Sequence, residues 1–198
     1  MDIVFRVKDI LLKPQETWLR IKDEPAEIKE LFTSYAAVLA AIPAVGSFIG
    51  FSLVGMSLLG IHYRMPFFSG IGHLLVSYVF SLVGLYVVGL IIDALAPQFG
   101  SRKNPLQAMK VAVYSWTPAW VAGFLLIIPA LAPLSMLVSL YSLYLFYLGL
   151  PILMETPSDK VIGYVIVTIL VSIVVSVIIG SLSSALFGFG PGGMMGWR

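Results

Sequence analysis

Apolar residues along this chain come in long unbroken runs, not in the one-sided or alternating patterns of a water-facing domain. A bilayer core of about 30 Å needs roughly 20 apolar helical residues at about 1.5 Å each. Five stretches meet that length, at about 31–61, 70–96, 108–128, 134–154 and 160–187. Runs such as IVTILVSIVVSVII lack the period-two alternation of a transmembrane strand, so the spans are predicted to be helices. The first stretch, about 46 Å long if wholly helical, exceeds one untilted crossing. Pro43 with Gly46, Gly50, Gly55 and Gly60 predicts a bend or partial unwinding within it. A re-entrant hairpin broken at Pro43–Gly46 is the alternative for that segment. Pro129 and Pro133 leave so short a link that the third and fourth spans are expected to form a tight antiparallel hairpin.

The first 30 residues follow a different rule. Ile3, Val7, Ile10 and Leu11 recur at helical spacing, with Arg6, Lys8 and Asp9 between them. Pro14 suits the first turn of a second short helix carrying Trp18, Leu19 and Ile21. Short amphipathic helices of this kind either lie on the cytoplasmic leaflet or pack beneath the membrane bundle. At the other end, Gly188, Gly190, Gly192, Gly193 and Gly196 with Pro191 predict a flexible tail over 188–198. The expected fold is an all-α integral membrane protein, a five-transmembrane-helix bundle preceded by amphipathic interfacial helices.

Composition and charge sharpen this picture. The chain is 59% apolar and 11% charged, with a mean hydropathy of +0.98, whereas a soluble domain carries about 25% charged residues. Residues 1–30 hold 13 of the 22 charges. The first apolar run begins too late and runs too long for a signal peptide, so the head is expected to stay on the chain. Ten Lys and Arg residues fall in the head, at Arg102, Lys103 and Lys110, and at Lys160, against Arg64 and Arg198 on the opposite side. With five spans this bias predicts an N-terminus inside and a C-terminus outside, in an inner or plasma membrane. There is no cysteine, which excludes disulfides, thiolate metal sites and thiol nucleophiles. So few basic residues outside the head argue against nucleic-acid binding.

Four pieces of sequence together resemble one family. Pro14 is followed by Thr17-Trp18, and the third span carries Tyr114-Ser115-Trp116-Thr117-Pro118. The fourth span reads LYSLYLFYLGLP from Leu140 to Pro151, and Pro157, Asp159, Lys160 and Gly163 follow. In this order and spacing, from about residue 10 to 185, they resemble the YIP domain of Ypt/Rab-interacting membrane proteins. The resemblance implies five helices, a cytoplasmic N-terminus and no enzymatic activity. Eukaryotic relatives bind prenylated Rab-type GTPases through much longer heads; the short head here resembles the prokaryotic branch, so Rab binding is not carried over.

Candidate functional residues are few. Thr168, Ser172, Ser176, Gly180, Ser184 and Gly188 recur every four residues along the fifth span, a row along which helices approach closely within the monomer, in a homodimer or against another membrane protein. Asp93 is the acid set within an apolar run, read as snorkelling or pairing with Arg102, Lys103 or Lys110, with a proton or cation site as the sharper reading. His73 lies twenty residues away, about 30 Å along a helix, and its spacing from His62 gives a weak metal pattern. Tyr141, Tyr144 and Tyr147 form an aromatic row on the fourth span, suited to internal hydrogen bonds or to a lipid headgroup. Trp116 and Trp120 flank Pro118 and are read as filling a proline kink, or as lining a lipid groove. Gly188–Gly193 resembles a phosphate loop only superficially, lacking a preceding strand and a following helix. No catalytic residue, metal or cofactor is expected. The expected partners are membrane lipids and another membrane protein or a second copy, and the expected role is a non-enzymatic adaptor, with a carrier or channel for an ion, small solute or lipid as the alternative.

Overall fold

The computed structural model describes residues 2–58 and 61–187, with side chains described except at 56–63, 176 and 178–187. The head forms two helices, α1 (Ile3–Leu12) and α2 (Pro14–Asp23). The Asp2 carboxylate accepts from the Val4 and Phe5 amides at 3.0 and 3.2 Å, which caps α1. Pro14 begins α2 in the position where its missing N–H costs nothing. The membrane part follows as α3 (Ile28–Val54), α4 (Phe67–Leu95), α5 (Pro105–Ser115), α6 (Thr117–Ala122), α7 (Ala132–Ser139), α8 (Tyr141–Leu153) and α9 (Val161–Phe187). Among the described residues four helical segments are long and apolar enough to cross a membrane: Ile28–Val54, Phe67–Phe99, Pro105–Ile127 and Pro129–Leu153. A shorter apolar stretch, Val161–Val175, begins α9. The chain is a multi-pass helical membrane protein.

The first span differs from the sequence expectation at both its ends and its middle. It stays helical through Pro43, with π-helical turns at Phe32–Ala36 and Ile49–Val54, so the chain does not turn back at Pro43–Gly46. The Ser47 hydroxyl donates to the Pro43 carbonyl at 2.7 Å. The helix stops at Val54 rather than Ile61, because Gly55 takes φ +80°, a backbone region open mainly to glycine. A short antiparallel hairpin follows, β1 (Met56–Leu58) against β2 (Ile61–Tyr63), with Met56 opposite Tyr63. Arg64 Nε donates to the Ser52 carbonyl at 2.7 Å and ties the hairpin to the end of α3.

The third and fourth spans do form a tight hairpin, and both are broken helices. Trp116 interrupts the third before α6, which gives way to 3-10 turns at Gly123–Ile127 and Pro129–Leu131. The hairpin packs on α3 through backbone. A Cβ at Gly46 would lie 2.4 Å from the Gly123 carbonyl oxygen, and one at Gly123 would lie 2.6 Å from the Pro43 Cα. The proline expected to bend the first span thus forms the bed on which the hairpin lies.

The core sits at the head end. Every residue from Ala108 to Ser115 is buried, so α5 is the central helix, ringed by α2, α3, α4 and α8. Helices apolar on all sides belong inside a bundle, and this position explains how α5 keeps Lys110 in its middle. The apolar stripe of α1 (Ile3, Val7, Ile10 and Leu11) packs on this core, as do Trp18 and Ile21 of α2, whereas Leu19 faces outward. The head is therefore part of the bundle.

Gly123→Ala is expected to cost about 1–3 kcal/mol, as overpacking against rigid backbone does. Gly84→Ala, where a Cβ meets nothing within 4 Å, is expected to be neutral or to gain about 0.5–1 kcal/mol. Denaturant titration in bicelles, followed by near-ultraviolet circular dichroism, separates the two.

Candidate functional site

Two features concentrate the polar chemistry. The first is the joint between head and bundle. Lys110 Nζ donates to the carbonyls of Ile21 and Glu24, each at 2.7 Å, and Gln107 Nε2 donates to the Lys22 carbonyl at 3.0 Å. These are the carbonyls that α2 leaves without partners at its C-terminus, where a cation is favoured. One turn of α5 therefore caps a helix to which it does not belong. Arg6 reaches both Glu24 oxygens at 2.6 and 2.5 Å and stands 5.7 Å from the Tyr114 ring centroid, within cation–π range. Arg20 pairs with Asp9 at 2.9 Å between the two head helices, and Lys22 reaches Glu155 at 3.3 Å.

The residues behind the family resemblance meet at this joint. Trp18 is fully buried and edge-on to Tyr114, with centroids 6.3 Å apart. It lies so close to Gly149 that a Cβ there would approach the indole to 3.0 Å. Tyr35 packs on Tyr114 at 4.9 Å and shares a hydrogen bond of 2.8 Å with the Thr117 hydroxyl. Trp120 is buried beside Tyr35. Tyr141 donates to the Leu11 carbonyl at 3.0 Å, which gives this member of the tyrosine row a structural use, while Tyr144 and Tyr147 remain exposed. Lys110→Met would leave two carbonyls of α2 without their donor, a cost of about 1–2 kcal/mol. That is expected to free the head for trypsin cleavage after Arg20 and Lys22 about 5–30-fold faster than in the wild type, measured by limited proteolysis in bicelles.

The second feature is a cleft between α4 and α9. The two helices close on each other at the head end, where Tyr164 donates to the Ile92 carbonyl and stacks on Phe99 with centroids 4.7 Å apart. Beyond that contact lies a cavity of about 600 Å³, walled by α4 and α9 and floored by α5 and α8. Its rim is exposed at Phe80, Trp116, Leu143 and Ile173, while its floor is buried at Leu85, Ala112, Ser115, Ser142 and Thr168. The cleft therefore opens sideways toward lipid. Ser115 Oγ, Ser142 Oγ and Thr168 Oγ1 are buried and have no hydrogen-bond partner among the described residues. No described lining residue has a titratable side chain, so these residues can bind but supply no general acid or base.

The expected site residues separate accordingly. Thr168 and Ser172 border the cleft; the side chains of Ser176, Gly180 and Ser184, and Gly188 with the whole tail, lie outside the described residues. Asp93 is buried, with Oδ1 unpartnered. Its expected pairing with Arg102, Lys103 or Lys110 is absent among the described residues, because Lys110 is committed to α2. His73 is exposed near the start of α4, and among the described residues no group of three His, Cys, Asp or Glu could hold a metal ion. Of the two tryptophans expected around the proline kink, Trp120 fills the joint and Trp116 stands at the rim of the cleft. Ser142, Gly84 and Lys110 went unmarked as site residues in the sequence, where only Lys110 carried any signal, as a charge inside an apolar helix.

The chain is 25% identical over 174 residues to the "Inner membrane protein YohC" of Escherichia coli strain K12, covering 86% of this chain and 89% of that protein. The protein of that name from Escherichia coli O6:H1 matches to the same extent. No solved structure matches the chain. Neither relative's name indicates an enzymatic activity. The Yip1 domain model matches residues 8–180, a range that takes in the joint except Arg6 and the described lining of the cleft, and the chain belongs to the Yip1 domain family.

Proposed function

We propose that the protein is a non-enzymatic membrane adaptor or accessory subunit that crosses the bilayer five times, N-terminus inside and C-terminus outside, and organises other membrane components by packing. What supports this reading is the cleft, whose rim is exposed at Phe80, Trp116, Leu143 and Ile173 and which Thr168 and Ser172 of the small-residue row border. Small residues at such an edge let a neighbour approach closely. The polar side chains of the joint are committed to holding the head, so the cleft is where the membrane part receives another component. The positive-inside count supports the orientation.

A carrier of a small solute, ion or lipid, alone or as a homo-oligomer, is the second reading, and the unpartnered Oδ1 of buried Asp93 favours it. In-membrane crosslinking and affinity purification from the native host separate the two. The adaptor reading expects a stoichiometric component recovered with the wild type, lost in Gly84→Phe, which fills the cleft, and kept in Asp93→Asn. Recovery of the protein alone, together with liposome flux that Asp93→Asn abolishes, would replace the adaptor reading with the carrier.

A further inference from the structure

The cleft holds an unusual combination for a membrane interior. Ser115, Ser142 and Thr168 are each more than nine-tenths buried, and their hydroxyl oxygens lack partners among the described residues. They come from three different helices, α5, α8 and α9, and line one cavity. A buried hydroxyl without a partner costs free energy, and three in one place define a local demand for an acceptor.

The chemistry of that acceptor follows from the rest of the lining. No cation stands among the described residues that line the cavity, so a phosphate or carboxylate there would be buried uncompensated. The group that fits is uncharged and accepts hydrogen bonds, as an ester carbonyl does. Phe80, Val88, Phe146 and Ile173 supply apolar wall on either side of the hydroxyls, and the exposed rim lets a chain enter from the bilayer. The volume of about 600 Å³ lies within the ~300–1,000 Å³ range of small-ligand sites.

We propose that the cleft between α4 and α9 is a lipid site, which takes an acyl chain of a glycerolipid along its apolar walls and sets the lipid's ester carbonyl oxygens, each with two lone pairs, among the hydroxyls of Ser115, Ser142 and Thr168. This rests on the reading of the cleft as a contact surface and specifies its occupant.

The test uses the full chain in phosphatidylethanolamine liposomes containing a trace of phosphatidylethanolamine with a diazirine in one acyl chain. After irradiation, labelled positions are mapped by mass spectrometry. In the wild type, label is expected to concentrate at Phe80–Gly84 and Thr168–Ser172 above its density at exposed belt residues such as Leu75 and Leu137. Gly84→Phe enters space that is open to a Cβ, so it should fold normally and lose the cleft label while keeping the belt label. The triple variant Ser115→Ala, Ser142→Ala, Thr168→Val preserves the shape and should lower cleft labelling on the order of tenfold, as losing hydrogen bonds of ordinary net strength implies. Cleft labelling no denser than the belt, or unchanged in Gly84→Phe, overturns the lipid site. Labelling unchanged in the triple variant overturns the role given to the hydroxyls. If the cleft takes no lipid label but a membrane protein still co-purifies in a Gly84-dependent way, the lipid site falls and the adaptor reading stands. If neither is seen, both fall.

Discussion

Lys110 lies at the centre of the most buried helix with its ammonium between two carbonyl oxygens of α2, and a cation in that position is tolerable only while those oxygens stay in place. Removing it from water carries a penalty of several kcal/mol that must be offset by close partners. The open C-terminus of α2 supplies them and is itself completed by them. This mutual dependence fixes the head on α5. The buried Trp18, its closeness to Gly149 and the Arg6–Glu24 pair all require that docking. It also sets the character of α5, whose buried faces tolerate a lysine because the head covers it.

Away from the head the bundle is held by a different device. Gly46, Gly50 and Gly123 bring α3 and the turn after α6 into backbone contact, which gains dispersion energy where lipid offers no hydrophobic drive between helices. Among the described residues the α4–α9 pair has no such glycine-mediated backbone contact. It is closed by Tyr164 and Phe99 at one end and stands apart beyond them. The molecule thus combines a rigid half, built on glycine and a capped head, with a side that stays open.

Much of the architecture was legible in the sequence because span length and apolar runs are constrained by bilayer thickness. The amphipathic stripe of α1, the helix start at Pro14 and the Pro129–Pro133 hairpin were all legible for local reasons. The end of the first span was misread: Met56–Leu58 and Ile61–Tyr63 are apolar enough to continue a helix, and only the left-handed Gly55 stops it. The cleft was largely invisible. Ser115 and Ser142 fall in motifs that read as packing, and their convergence with Thr168 depends on how three helices rotate about their axes, which spacing along one helix does not reveal. Asp93 failed for a similar reason, since Lys110, one of the three cations expected to pair with it, had a better partner 89 residues earlier than itself.

The joint also has a bearing on the order of assembly. Tyr141 meets Leu11 across 130 residues of sequence, so the head cannot dock until most of the chain has been made. At ~5–20 residues per second, synthesis of that interval takes roughly 7–26 s. Meanwhile Val4, Phe5, Leu12 and Leu19, which stay exposed even in the finished fold, give the waiting head an apolar face of its own. That face holds it at the bilayer surface beside the emerging spans, turning a distant pairing in sequence into a short two-dimensional search.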